Sequence, residues 1–292
     1  MTTPAYDLRS FFQALGGVSG LRPGLSDEER ADSTADVVLL DQAPAQVTAA
    51  PLVVRGYVDG VQASSCVAYF DHRPVHLMYV GAACISPRLE AVAVRERLTV
   101  VASELDAARL EPIRNGLPLE LLALEDPMAL ERVVRAHVDQ TRERCELEVI
   151  EAVHGDLPVV VDGDLRSRGA RAGLVGVAKT LRTRYLADES VLFGLPAGWR
   201  SPRFTIKAGA GASADRHSCY LRILDAGSQA WSFGLVRLEA YDADLLDPLA
   251  ALCMTQRQGS RSGDRRFDVH LAPVRACEEL LRARRPAAFQ YL

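Results

Sequence analysis

From Pro51 onward the apolar residues come in short runs rich in Val and Tyr: PLVVRGYVDG, QASSCVAYFDHR and PVHLMYVGAAC, broken by Asp59-Gly60 and by His72-Arg73-Pro74. Short runs bounded by turn residues predict three strands in an antiparallel meander. RERLTVVASEL continues as either a strand or a helix. Over residues 126–153, Leu130, Val133, Val134, His137, Val138, Thr141, Cys145 and Val149 recur at helical spacing, which predicts a long helix. LPVVVDGDL follows, a continuous Val run ending in Asp162-Gly163-Asp164, as a strand buried on both faces reads. GLVGVAK is a further apolar run, HSCYLRIL and AWSFGLVRLEAY are strand candidates, QRQGSRSGDRR is a loop, and residues 273–284 form a closing helix. Residues 1–50 read as an appendage, with a short amphipathic helix over 6–15, a glycine-rich break and the acidic, solvated stretch SDEERADSTAD. Meander, helix and buried strand together predict an α/β fold, a mixed sheet covered by helices, with residues 51–292 as one elaborated domain.

Composition narrows the function classes. At 292 residues the chain can bury a substantial core, and with 48% hydrophobic and 25% charged residues it is an ordinary globular sequence, not a disordered one. A formal net charge of −4 argues against tight nonspecific DNA binding by the surface as a whole, so any basic surface must be local. Lysine occurs only at Lys179 and Lys207, which leaves arginine to carry the positive charge. The start contains Asp7 and Arg9 and lacks a long apolar core, and nothing later approaches the roughly 20 apolar residues of a spanning helix. A cytoplasmic chain with no membrane span is expected. The six cysteines are scattered without CxxC or Cys/His ligand spacing, which points to buried small side chains and away from a zinc site.

Two apolar runs end in Asp-Gly, at Asp59 and Asp162, so each aspartate is expected at the carboxyl end of a strand, where glycine lets a ligand approach the backbone. Phosphodiester hydrolysis by two metals needs carboxylates converging on cations about 3.5–4 Å apart. Oxygen ligands of this kind select Mg²⁺ or Mn²⁺. A third carboxylate would come from RERCELEVIEAV, which offers Glu143, Glu146, Glu148 and Glu151. Helical spacing turns Cys145 and Val149 inward, leaving Glu146 and Glu148 on the two flanks, and either can reach the sheet end. The plainer alternative is that Asp-Gly is a common turn dipeptide and the glutamates are a solvated helix face. Arg166, Arg168, Arg171, Lys179, Arg182 and Arg184 crowd into one stretch that forms either a phosphate-backbone track or a solvated face. His270 is a candidate for proton transfer or phosphate binding, with a structural histidine as the alternative, whereas His72 and His76 flank a proline turn as structural residues. The run from Gly173 to Thr180 nearly spells a phosphate loop, but Ala178 replaces the glycine before Lys179, and Leu174, Val175 and Val177 suit no loop whose amides must turn inward.

Five segments in order resemble the NurA family of nucleases, over about residues 53–282: YVDGVQ; RERCELEVIEAVHGDLPVVVDGDL; GVAKTLRTRYL; the strand pair CYLRIL and LVRLEAY with Glu239; and GDRRFDVHLAPVRACEELLR. The last segment departs from the family pattern at Asp268 and His270, and the first carries Val61 where serine is common. The resemblance implies a ribonuclease-H-like core that cuts DNA, with Asp59, Glu146 and Asp162 as ligands of Mn²⁺ or Mg²⁺. It also implies Asp164 as an accessory ligand and Lys179 at the scissile phosphate. A homodimer working with a HerA-like hexameric ATPase in DNA-end processing is the assembly it implies. A catalytically weak NurA-like interaction subunit of such a complex is the alternative.

Overall fold

The computed structural model describes residues 36–70, 73–111, 118–123, 130–179, 181, 183, 185–188, 190–209, 214–227, 231–257 and 271–286. Its strands are β1 (Val37–Leu39), β2 (Ala45–Gln46), β3 (Gly56–Phe70), β4 (Arg73–Ile85), β5 (Ala91–Ser103), β6 (Leu119–Leu122), β7 (Val159–Asp162), β8 (Leu174–Ala178), β9 (Trp199–Arg200), β10 (Phe204–Ile206), β11 (Arg216–Arg222) and β12 (Leu235–Ala240). This mixed α/β chain divides into two compact units. The first comprises Val53–Asp162, Arg171–Val175 and Leu271–Leu292, and the second comprises Met1–Leu52, Gly163–Ala170 and Gly176–His270.

In the first unit the strand order is β7-β3-β4-β5-β6, with Leu174 and Val175 of β8 beyond β7. β3, β4 and β5 form an antiparallel meander, but not the expected one, because the first two expected strands are the single strand β3 and the third strand of the meander is β5; β6 runs parallel to β5, and β7 runs parallel to β3. RERLTVVASEL, open between strand and helix in the sequence, lies in β5 as far as Ser103, where its β-branched residues pair with β4, and its last two residues begin a 3-10 turn. The break expected at Asp59-Gly60 is not a turn. β3 runs straight through it, with Asp59 opposite Ala83 and Gly60 opposite Ala82. Glycine serves another purpose here: a Cβ on Gly60 would lie 2.5 Å from Glu146 Oε1 and 3.1 Å from Arg142 Cγ, so its absence lets the long helix Leu130–Val153 press against the strand. The C-terminal helix Ala272–Arg284 covers the other face, where Gly81, opposite Val61, would set a Cβ 2.9 Å from Leu281. Both helices stand close to where their periodicity puts them. The cysteines behave as expected, with five buried and Cys66 half-buried.

His76 lies on β4 opposite Cys66 of β3 and Val101 of β5. It is only 8% exposed, and among the described residues neither ring nitrogen meets a hydrogen-bond partner. Burial pushes its pKa below the ordinary histidine value, against the pull of Glu131. The fold therefore prefers neutral imidazole. Its contribution to stability is complete above the unfolded-state pKa and is lost as pH falls through that value toward the lower folded one. Thermal melts between pH 8 and pH 5 should decline in this window, and His76→Leu should flatten the decline; an unchanged slope would show that another group titrates.

The second unit holds the antiparallel order β1-β10-β11-β12, with β9 pairing both β11 and β2. Helix Leu246–Gln256 packs on β11 and β12. Tyr185, Leu192, Phe204, Tyr220 and Leu235 form an apolar cluster in this unit. Within the expected appendage, residues 37–39 and 45–46 are strands, and Asp41 ties them down by accepting from Arg200 at 2.7 Å and Arg203 at 2.9 Å. The helix expected over 6–15 lies outside the described residues. Among the described residues no helix is long and apolar enough to cross a membrane.

Candidate functional site

Asp59 and Asp162 are brought together by strand register. The parallel pairing of β3 with β7 matches Gly56 with Val159, Tyr57 with Val160 and Val58 with Val161, and one further step along both strands sets Asp59 beside Asp162. β7 ends there while β3 continues, so the pair stands at the point where β3 loses its parallel neighbour. Asp59 is 7% exposed, and its Oδ1 accepts from the Gly60 amide at 2.8 Å. Alternation along β3 turns Gly60 toward the long helix and Asp59 toward the side of the C-terminal helix. The Cys277 thiol there, raised first by burial, is raised further by the Asp59 charge.

The two candidate glutamates of the long helix have different surroundings. Glu146 is buried at 1% exposure against Gly60, whereas Glu148 is ion-paired with Arg97 of β5 at the partly exposed surface. Glu146 is thus the glutamate that meets the Asp59-Gly60 segment. Its Oε1 accepts from Arg142 one helical turn earlier. Burial opposes the Arg142 charge, but the neighbouring carboxylates outweigh it, Glu146 first and then Glu143 and Asp139, and hold its pKa above the ordinary arginine value. Arg142 Nε also donates to Gln62 Oε1 at 3.1 Å, and Gln62 Nε2 donates to Asp139 Oδ1 at 2.6 Å. Arg142 and Gln62 are absent from the sequence candidates, although the i, i+4 spacing of Arg142 and Glu146 is visible there.

No family model matches the chain, and no curated protein matches it. Whether a hard divalent cation suits this region therefore rests on the donors themselves. Asp59, inside β3, and Asp162, at the end of β7, are neighbouring carboxylates, and Glu146, almost wholly withdrawn from water, lies against Gly60 on the other face of β3. Oxygen donors that are costly to bury as bare anions fit such a cation. Among the described residues, no three His, Cys, Asp or Glu side chains are already gathered closely enough to hold a metal ion. Glu146 is engaged by Arg142 instead.

The remaining predicted residues fall elsewhere. In the first unit, Arg171 pairs with Glu151 at 2.9 Å. In the second unit, Asp164 Oδ1 accepts from the Arg166 amide at 3.0 Å, and Asp164 Oδ2 is 3.8 Å from Arg237. Arg166 is exposed and donates to Tyr185 Oη at 3.1 Å, whereas Arg168 is buried with its Nε on the Asp164 carbonyl at 3.3 Å. Lys179 is half-buried just past β8. Arg182, Arg184 and His270 lie outside the described residues. This unit has a buried ionic cluster that the sequence marks only by Glu239. Glu239 Oε2 accepts from the Leu165 amide at 2.9 Å and from Arg216 at 3.2 Å, and Oε1 accepts from Arg237 Nε at 3.0 Å. Arg237 also lies 4.9 Å over the Tyr185 ring, a cation–π contact.

Proposed function

We propose that the chain is a divalent-metal-dependent deoxyribonuclease with a ribonuclease-H-like core, in which Asp59, Glu146 and Asp162 are the cation ligands. One observation carries most of this reading: the parallel register that sets Asp59 beside Asp162, although 102 intervening residues separate them in the chain. The topology of the first unit supports it as well. An antiparallel meander, a long helix and a strand returning parallel beside the first are elements that such a core requires. Mn²⁺ or Mg²⁺, when bound, supplies activation of water and stabilisation of the leaving oxygen. The chain's own part is to hold Asp59 and Asp162 side by side where β7 ends, while Gly60 lets the helix that carries Glu146 close on the other face of β3.

On the same reading, Asp164 is an accessory ligand, Lys179 and His270 assist at the phosphate, and Arg166, Arg168, Arg171, Arg182 and Arg184 follow the nucleic-acid backbone. A homodimer supplied with DNA by a HerA-like hexameric ATPase suits a chain of net charge −4, because the motor delivers a substrate that the acidic surface would not gather. A catalytically weak interaction subunit of such a complex is the second reading, favoured by the Arg142 guanidinium on Glu146. Incubation of linear single- and double-stranded DNA with Mn²⁺, Mg²⁺ or EDTA separates the two. Cleavage with either metal and none with EDTA is expected; intact DNA with both metals favours the second reading, and cleavage that persists in EDTA rejects the metal-dependent one.

A further inference from the structure

We propose that Cys66 is a thiol-modification site, at which His76 accepts the thiol proton and a low-molecular-weight disulfide takes the sulfur into a mixed disulfide. The antiparallel register of β3 and β4 sets the two residues directly opposite each other. Opposite residues of such a pair send their side chains to one face, with Cβ atoms about 5 Å apart. That face is the one the long helix covers: Gln62, four positions earlier on β3 and so on the same side, donates to Asp139 of the helix at 2.6 Å.

The imidazole is a base without an occupation. His76 is 8% exposed, and among the described residues both ring nitrogens lack a hydrogen-bond partner. Buried polar atoms left unmet cost free energy and call for a purpose. Burial holds the ring neutral, the form that can take a proton, and the charge of Glu131 on the helix favours the imidazolium once it forms. The rest of the row offers no competing acid: Val101 of β5 stands on the far side of His76, and beyond it Glu120 of β6 lies 2.6 Å from His137 of the helix. Cys66, in contrast, is half-buried and in no disulfide. The strand also opens beside it, because the register with β4 shifts between Cys66 and Ala68 and Val67 stands 51% exposed. Such a bulge bends the strand and interrupts its ladder. The other five cysteines are buried, and burial pushes the Cys84 thiol up to about 11 and the Cys219 thiol up to about 12.

In the reaction the Cys66 Sγ proton passes to a ring nitrogen of His76, and the thiolate attacks one sulfur of the disulfide. The new S–S bond forms as the original one breaks, so Cys66 is oxidised and the departing sulfur is reduced. The departing thiolate takes the proton from the imidazolium, which returns His76 to its neutral form.

Glutathione disulfide is the probe, with rates read at each cysteine by mass spectrometry. The samples are the full chain as wild type, His76→Leu and His76→Gln, and the wild type unfolded in urea. Cys66 is expected to react at pH 7 about tenfold faster in the folded wild type than in the unfolded chain, since an ordinary thiol is only a few per cent ionised there. The five buried cysteines should lag behind it. Both His76 variants should lose the advantage, and their rates should climb steeply between pH 7 and pH 9 as an ordinary thiol's do, where the wild-type rate climbs less. Glutamine keeps a polar side chain without a base, so a loss in both variants separates proton transfer from packing. If neither variant folds, the folded-against-unfolded comparison and the wild-type pH profile carry the test. Variants that react as fast as wild type, or a folded Cys66 no faster than the unfolded thiol, would overturn the proposal.

Discussion

Asp162→Asn is expected to lower Mn²⁺-dependent DNA cleavage by about three orders of magnitude, with Asp59→Asn equally damaging and the double variant hardly worse than either. Asparagine has nearly the shape of aspartate, and at position 59 its side-chain oxygen can still accept from the Gly60 amide, as the Asp59 carboxylate does at 2.8 Å. What it lacks is the charge that grips a cation. Two ligands of one site fail as a unit, so their effects do not multiply. Stability should move the other way or not at all. Asp59 is 7% exposed beside a second aspartate in register, and relieving that repulsion leaves the melting temperature equal to or above wild type. Single-turnover cleavage and thermal melts of the same preparations check both halves. Cleavage within tenfold of wild type in both single variants would remove these residues from the chemistry.

Glu239→Gln is expected to destabilise the protein by about 3–5 kcal/mol, the scale for breaking a buried charge pair by removing one partner. Glu239 is fully buried and is shared by two arginines that are themselves almost wholly buried, Arg216 and Arg237. Burial disfavours the Arg237 charge, and Glu239 is the first of the neighbours that outweigh it, so the pKa is held above the ordinary arginine value. Glutamine leaves two guanidinium charges without that carboxylate. It also weakens the acceptor for the Leu165 amide in the loop that follows β7. Arg237→Met in the Glu239→Gln background should recover part of the loss, because it removes one stranded charge. Urea denaturation of the single and double variants measures this coupling, and a cost below about 1 kcal/mol for Glu239→Gln would mean that the cluster adds little net stability.

The sequence reveals most where a long periodic signal is involved. The helix Leu130–Val153, the closing helix and the buried Val run of β7 follow from spacing alone, because each is set by residues near in the chain. β1, β2, β9 and β10 are two or three residues long, too short for any period, and exist through pairing with distant partners. Gly60 misleads for a related reason. Asp-Gly between apolar runs is a strong local turn signal, yet β4 pairs through it and the helix requires the missing side chain. At the candidate site, the two aspartates are legible as the ends of apolar runs, while the choice between Glu146 and Glu148 is not. Both flank the same inward stripe, and what separates them is Arg97, a β5 residue far away in sequence that engages Glu148. Glu239 stands in the sequence only as part of a strand, since its arginine partners are recognised by cross-strand pairing and burial.

Anomalous diffraction from a crystal soaked in Mn²⁺ probes the shared cation directly. The expected map has a manganese peak beside the carboxylates of Asp59 and Asp162. A map at saturating Mn²⁺ with no peak at those two aspartates would contradict the account.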